Sequence, residues 1–225
     1  MKLAFQFLLL LLAATCAQAQ WVNVGNGIDY QKFTLADPND VFVARMTRSN
    51  TNCIIGSMIA SNRVAGARET VSAQANRCED TLNCWGGDWG QRNDVVVAVN
   101  GSFFSFPAGV ITGGHIYDGW YAKRFDDWSG QTGFAWKFDR SCLIGGCPHI
   151  VRSEQTVTLG GVSRSYDGLN VARAANQLIV YTPQYDHNTL TDATGVEVLV
   201  EMPSPLGIYD YPGGVTGTIR QVRVN

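Results

Sequence analysis

Short runs of β-branched and aromatic residues, each bounded by turn-forming residues, recur along this 225-residue chain. Such runs are typical of β-strands. They comprise residues 41–46, 94–99, 133–138, 177–181, 196–201 and 215–224. Residues 95–99 are all apolar, which predicts a strand buried on both faces. A helix is predicted over 68–77, since Val71, Ala75 and Cys78 share one face. The sequence therefore predicts a sheet-dominated α+β fold in a single domain, with few helices and loops rich in glycine and tryptophan.

The first 19 residues have the composition of an export signal. Lys2 precedes a short apolar run, and small residues lead to Ala19. This pattern predicts a signal peptide at 1–19 that is cleaved after Ala19, and a folded domain at 20–225. The apolar run is too short for a membrane span of about 20 residues, and no later run reaches that length. We therefore expect a secreted or periplasmic protein without a membrane anchor. A lipoprotein acylated at Cys16 is the alternative, but the residues before Cys16 fit it poorly.

The charge balance of the chain argues against a strongly anionic partner. The 17 Lys and Arg residues include Lys2, so 16 remain after cleavage against 19 Asp and Glu, and the net charge is −3. No basic run is longer than Lys123-Arg124. A nucleic-acid partner is therefore not expected. No glycine-rich turn ends in Gly-Lys-Ser/Thr, which also disfavours a nucleotide site.

Five cysteines follow the predicted cleavage site, and export makes disulfides feasible. Cys78 with Cys84, and Cys142 with Cys147, are the pairings that close the shortest loops, although other connectivities stay open. Cys53 is then either a buried or free thiol, or its partner lies outside this sequence. The odd number thus leaves at least one cysteine without a partner in the chain.

A zinc site is the competing role for the cysteines. His115, His149 and His187 do not have the His/Cys spacing that is typical of zinc ligands. The sequence therefore predicts no metal, and we expect no cofactor.

The most informative segment follows the apolar run. Residues 95–99 lead directly into Asn100-Gly101-Ser102-Phe103-Phe104. A buried strand that ends in a polar, glycine-containing turn places Asn and Ser groups at a sheet edge, where a ligand can approach the backbone. The alternative is a tight turn followed by two core phenylalanines. Asn100-Gly101-Ser102 is also an N-glycosylation tripeptide, but the buried strand beside it argues against an exposed loop.

Tryptophans form a second group with two interpretations. They are interleaved with Gly, Asp and Arg and are not spaced as core residues. Such rings either stack on sugar faces or anchor loops. They are Trp85, Trp89, Trp120, Trp128 and Trp136.

Residues 94–104 resemble the Ala-x-Asn-Gly-Gly-Phe-Phe signature of the phosphodiester glycosidases. Residues 68–75 resemble the family's helix before that signature, 114–119 its glycine-bearing turn, and 178–183 with 194–197 its Tyr-Thr-Pro strand. The resemblance extends from about Gly27 to the end of the chain. It implies a secreted hydrolase that cleaves a sugar-1-phosphodiester linkage in a polysaccharide or glycoconjugate.

The chain departs from the family pattern in two places. Ser102 stands where the signature has its second glycine, and the family's downstream Asp-Gly-Gly-Gly-Ser motif has no match before Asn225. We therefore expect a domain that is incomplete at its C-terminus. A non-catalytic carbohydrate-binding or cell-surface module on the same fold is the alternative.

The resemblance also implies a set of site residues. Glu69 and Asp118 are the expected catalytic carboxylates, because an oxocarbenium-like transition state needs a nearby negative charge. The alternatives are that Glu69 is an ordinary charge on a helix face and that Asp118 is a turn-forming residue. His115 is expected to act as an acid or a phosphate donor, or else to be an ordinary surface or core histidine. The residues expected to bind a carbohydrate or sugar-phosphate substrate are Asn100, Gly101, Ser102, Phe103, Phe104 and His115.

Overall fold

The computed structural model describes residues 20–37, 39–65, 68–84, 94–106, 109–117, 119–124, 132–146, 155–205, 207 and 213–224. These ranges contain thirteen strands and one α-helix, which confirms the predicted sheet-dominated α+β fold. The chain falls into two compact units, Met1–Ile54 and Ile55–Asn225. The predicted signal peptide at 1–19 lies outside the described residues.

The first unit is an antiparallel sheet of three strands, β1 (Val22–Gly25), β2 (Ile28–Thr34) and β3 (Asp40–Met46). β2 lies between its neighbours and pairs with β3 along its whole length. The strand predicted at 41–46 is confirmed as most of β3. Cys53 is buried and free, and its Sγ lies 3.2 Å from the Asn26 carbonyl oxygen. Cys53 therefore has no disulfide partner among the described residues, which agrees with a buried thiol and also with a partner outside this sequence.

The backbone conformation of the turn between β1 and β2 accounts for the residues found there. Asn26 and Gly27 both adopt positive φ, 48° and 75°, as a two-residue hairpin turn requires. A Cβ at Gly27 would lie 2.9 Å from Nδ2 of Asn50, which donates a hydrogen bond to the Asn26 carbonyl. Backbone conformation and lack of space therefore both favour glycine at this position.

The second unit is built from pairs of strands. Four pairs are antiparallel and join neighbours in sequence, whereas one short pair is parallel. The antiparallel pairs are β4 (His115–Tyr117) with β5 (Trp120–Lys123), β6 (Thr132–Trp136) with β7 (Cys142–Gly146), β8 (Thr156–Leu159) with β9 (Val162–Ser165), and β12 (Val196–Glu201) with β13 (Thr218–Val224). The parallel pair is β10 (Gly168–Leu169) with β11 (Ile179–Val180). Strands are thus confirmed near 133–138, 177–181, 196–201 and 215–224.

The single α-helix of the described residues, α1, spans Val71–Leu82. Thr70 caps its start, because the Thr70 hydroxyl accepts a hydrogen bond from the Ala73 N–H at 3.2 Å. The helix therefore begins three residues after the predicted start at 68, and it continues past the predicted end at 77. No helix in the described ranges is long and apolar enough to cross a membrane.

The core of the second unit joins three distant parts of the chain. Ile59, Val64 and Ala65 pack with Ala122 and Tyr185. The N–H groups of Val64 and Ala65 donate to the carbonyls of residues 184 and 185, at 2.7 and 2.9 Å. The segment 59–65 is thereby fixed against the turn that contains Tyr185.

Asn170 is a polar residue of this unit whose side chain is fully buried. Its Nδ2 donates to the Ala122 carbonyl and to the Thr182 hydroxyl, both at 2.7 Å. Its Oδ1 accepts a hydrogen bond from the Thr182 N–H at 2.8 Å. Every polar atom of the side chain is used, so Asn170 joins the end of β5 to the segment after β11.

The prediction of a buried strand at 95–99 is wrong. Residues 94–100 have no strand partner within the described ranges, and Val99 is 82% exposed. The Val95 N–H donates to a carboxylate oxygen of Glu79 at 2.8 Å, in place of a strand neighbour. An apolar run is buried on both faces only where other elements pack above and below its sheet, and residues 94–100 belong to no sheet within the described ranges.

The predicted disulfide between Cys78 and Cys84 is not formed, and both are free thiols. Cys78 lies in α1, and Cys84 lies two residues beyond its end. The helix continues for four residues beyond Cys78, and its rise of about 1.5 Å per residue carries the chain about 6 Å along the axis before the turn that holds Cys84. Cys142 begins β7, and its predicted partner Cys147 lies outside the described residues.

Candidate functional site

Residues 100–104, the motif segment, lie on the surface of the second unit. Asn100, Gly101 and Ser102 are exposed and belong to no strand, and Phe103 is 75% exposed. The interpretation of Phe103 and Phe104 as core residues is therefore wrong. The segment presents polar groups and two aromatic rings to solvent.

Backbone hydrogen bonds hold the end of the motif in place. The N–H and the hydroxyl of Thr112 both donate to the Phe103 carbonyl, at 2.9 and 2.8 Å. Phe104 forms an antiparallel bridge with Ile111. Residues 103–104 and 111–112 are therefore held beside each other, and the second of these segments leads towards β4.

Gly101 is not required by the geometry of the turn. Its φ lies outside the left-handed region, and a Cβ at this position would meet no atom within 4 Å. The expected approach of a ligand to the backbone at this glycine stays a prediction. Space above the motif is open.

Helix α1 and the residues before it flank the motif segment. The Arg68 guanidinium carbon lies 4.8 Å from the centre of the Phe106 ring, a cation–π contact. Farther along the helix, Glu79 accepts the hydrogen bond from the Val95 N–H. The helix is thus joined to both ends of the segment 95–106.

Glu69, one of the two predicted catalytic carboxylates, is held by a dense set of donors. Arg77 contacts both carboxylate oxygens, with Nε 3.0 Å from Oε1 and Nη2 2.8 Å from Oε2. The Ser61 N–H donates to Oε2 at 2.8 Å. Since the side chain is only 14% exposed, most of its polar surface is already occupied.

These contacts decide the charge of Glu69. Hydrogen bonding from the Arg77 guanidinium lowers the pKa of the Glu69 carboxyl below its ordinary value, an effect that burial opposes. Glu69 is therefore ionised at neutral pH. It can stabilise a positive charge, but it cannot serve as a proton donor.

His115 is the most unusual ionisable group near the motif. It begins β4 opposite Lys123 of β5, and its side chain is largely buried. Its Nε2 atom is shielded from solvent and has no hydrogen-bond partner among the described residues. Burial lowers the pKa of His115, so the imidazole is neutral at pH 7. A neutral imidazole can accept or donate a hydrogen bond but does not carry a positive charge to a phosphate.

Two buried basic residues were not singled out by the sequence analysis. Lys123 donates from Nζ to the carbonyls of Ile111 and Thr112, at 2.6 and 3.4 Å. Arg124 donates to the carbonyls of Tyr166 and Asp167. The available signal was the basic pair itself, in which Lys123 ends β5 and Arg124 follows it directly. These residues fix the β4–β5 hairpin to its surroundings.

The structure brings together only part of the predicted site. Glu69 is hydrogen-bonded to Arg77 and Ser61, and these described hydrogen bonds lead away from Asn100–Phe104. Asp118 lies outside the described residues, as do Trp85, Trp89, Trp128 and His149. Within the described ranges, no group of three or more His, Cys, Asp and Glu side chains is arranged to hold a metal ion.

A shallow groove lies elsewhere, on one face of the β12–β13 hairpin. It is lined by Glu197, Leu199, Gln221 and Arg223, which oppose each other across the two strands. Hydrogen bonds from the hydroxyls of Thr189 and Thr191 lower the pKa of Glu197. The groove shares no residue with the predicted site.

Comparison of this chain with protein-family models, with curated proteins and with solved structures gives no match. The resemblance to the phosphodiester glycosidases thus stays a prediction from the sequence motifs.

Proposed function

We propose that this chain is an exported hydrolase that cleaves the bond between the anomeric carbon and a phosphate oxygen in a sugar-1-phosphodiester. The substrate class is a polysaccharide or glycoconjugate that carries such linkages. The proposal rests on the motif resemblance, and one structural observation supports it. Residues within or next to the four stretches that resemble the family are joined by a series of contacts in the second unit.

The links run in sequence from the helix to the Tyr-Thr-Pro segment. Arg68, before α1, contacts Phe106, and Phe103 is hydrogen-bonded to Thr112 just before β4. From the end of β5, the Ala122 carbonyl accepts a hydrogen bond from Asn170, which also binds Thr182. The surroundings of these stretches are thereby connected through the second unit.

The exposed motif has the donors that the leaving group needs. As the bond to the anomeric carbon breaks, positive charge develops on the sugar and negative charge on the departing phosphate. The Asn100 amide, the Gly101 N–H and the Ser102 hydroxyl are three donors in consecutive residues, suited to phosphate oxygens. Water then adds to the anomeric carbon, which gives a free sugar and a phosphate monoester. The open space above Gly101 suits a polymeric substrate.

Release of free sugar tests the proposal. The chain from residue 20 onward is incubated with a panel of sugar-1-phosphodiesters, and free sugar and phosphate monoester are measured in equal amounts. Asn100→Ala removes one donor and is expected to lower kcat about 10²–10³-fold. Asn176→Ala, at an exposed asparagine away from the motif, is the matched control and should keep full activity. A folded wild-type chain that releases no sugar from the whole panel contradicts the proposal.

A non-catalytic carbohydrate-binding module is the second candidate. The engagement of Glu69 by Arg77 and Ser61 favours it, because a carboxylate with such partners is poorly placed to meet a sugar. Calorimetric titration with the same compounds separates the two functions. Binding that weakens in the Asn100→Ala variant, without any sugar release by the wild type, would establish the module.

A further inference from the structure

We infer that Asn100 is an N-glycosylation site that is used when the chain passes through a eukaryotic secretory pathway. Asn100-Gly101-Ser102 is the only Asn-X-Ser/Thr tripeptide in the 225 residues. The inference depends on the predicted export signal and is independent of hydrolytic activity.

The structure removes the argument that the sequence raised against this modification. A buried strand was expected beside Asn100, and a buried asparagine cannot carry a bulky glycan. In the fold, residues 99–102 are exposed and lie outside any strand. The empty space around Gly101 leaves the approach to the tripeptide clear. A glycan at Asn100 is therefore compatible with the folded chain.

The surroundings of Asn100 supply a second reason. Val97, Val99, Phe103, Phe104 and Phe106 are all exposed, so large apolar side chains lie on both sides of the tripeptide. Clusters of exposed apolar side chains favour association of soluble proteins. A hydrated oligosaccharide at Asn100 would cover part of this surface. Glycosylation is thus expected to raise the solubility of the chain.

The chemistry is a group transfer from a lipid-linked oligosaccharide diphosphate. The Asn100 amide nitrogen forms a bond to the anomeric carbon of the oligosaccharide. The bond between that carbon and the diphosphate oxygen breaks, and the lipid diphosphate leaves. The amide loses one proton, so no oxidant or reductant is needed.

Modification of Asn100 also affects the proposed site. The amide that would donate to a substrate phosphate then carries the glycan and keeps a single N–H. We expect glycosylated chains to release sugar more slowly than unmodified chains. Occupancy of Asn100 would thereby set the active fraction of the exported protein.

Translation of the full chain with endoplasmic reticulum microsomes tests the inference. The protease-protected fraction is compared before and after treatment with an amidase that removes N-linked glycans. The wild type should migrate more slowly before treatment, and mass spectrometry should show conversion of Asn100 to Asp after it. Ser102→Ala should abolish the slow form and Ser102→Thr should keep it. Asn188→Gln, at an exposed asparagine outside any tripeptide of this kind, should not alter it.

Two results overturn the inference. One is a protected wild-type chain of unmodified mass, and the other is a chain that never becomes protected. Sugar release is measured separately on unglycosylated protein made in bacteria, so failure of the proposed hydrolase activity is distinguished from failure of glycosylation.

Discussion

The guanidinium of Arg77 joins the Glu69 carboxylate to the backbone of the turn at residues 59–62. Besides its contacts to Glu69, Arg77 donates to the Asn62 side-chain oxygen at 2.6 Å and to the Ile59 carbonyl at 2.9 Å. Glu69 precedes the helix and Arg77 lies eight residues later, inside it. Through its one side chain, Arg77 therefore connects helix α1, the residue Glu69 before the helix and the turn at residues 59–62.

Arg77→Met should destabilise the fold by about 1–3 kcal/mol, because it leaves the largely buried Glu69 carboxylate and the Ile59 carbonyl without their charged donor. Urea unfolding at pH 7 measures the change. Arg164→Met is the matched control: Arg164 is 64% exposed, and its nearest carboxylate oxygen, on Asp167, is 3.9 Å away. The control should change stability by about 0.5 kcal/mol or less. Equal effects of the two substitutions would contradict the importance of the Arg77 contacts.

His115 should make stability fall as the pH is lowered through the slightly acidic range. The unfolded chain takes up a proton on this histidine near its ordinary pKa of 6.5, whereas burial lowers the pKa in the folded chain. Stability is therefore fully present above pH 6.5 and decreases below it, down to the folded pKa. His115→Gln should reduce the difference in unfolding free energy between pH 7.5 and 5.5. His187→Gln, at an exposed histidine, is the control, and an identical pH profile in both variants would disprove the prediction.

Asn170→Ala should cost about 3 kcal/mol or more, since it removes three hydrogen bonds from a fully buried site. Part of the loss comes from the backbone, because Asn170 has a φ of 54° that alanine adopts with strain. Asn176→Ala isolates this part: Asn176 has a φ of 62° but is exposed. Thermal and urea unfolding should show a loss of about 1 kcal/mol for Asn176→Ala. A loss for Asn170→Ala no larger than this would mean that its hydrogen bonds contribute nothing.

Gly101→Ala and Gly168→Ala should differ sharply in stability. A Cβ at Gly101 meets open space, so the change in unfolding free energy should be about 0.5 kcal/mol or less. A Cβ at Gly168 would clash with the Val171 side chain and lie 3.1 Å from Cδ1 of Ile179. Overpacking of this kind costs about 1–3 kcal/mol. A destabilised Gly101→Ala variant would show that atoms pack closely around Gly101, contrary to the open space in the structure.

Local patterns predicted the strands best. The alternation of residues in 196–201 and the β-branched content of 41–46 suffice, because a hairpin strand needs little beyond its own sequence and an adjacent partner. The run at 95–99 failed for the opposite reason. Burial on both faces depends on elements from elsewhere in the chain that pack above and below the strand, and the composition of the run does not encode them.

The site was harder to predict than the fold. The role of Glu69 depends on Arg77, and their separation of eight residues is not a helical spacing that pattern analysis detects. The disulfide between Cys78 and Cys84 was expected from loop length alone. The predicted helix ended at residue 77, whereas α1 continues to Leu82 and includes Cys78. The lowered pKa of His115 arises from burial, which spacing in the sequence does not reveal.

The core described above also determines the order in which the chain can fold. Val64, Ala122 and Tyr185 follow one another in the sequence at intervals of about sixty residues, so their contact requires closure of long loops, which is entropically costly. The hairpins β8–β9 and β4–β5 connect neighbouring residues and can close within microseconds. We therefore expect formation of this core to be slower than closure of the hairpins.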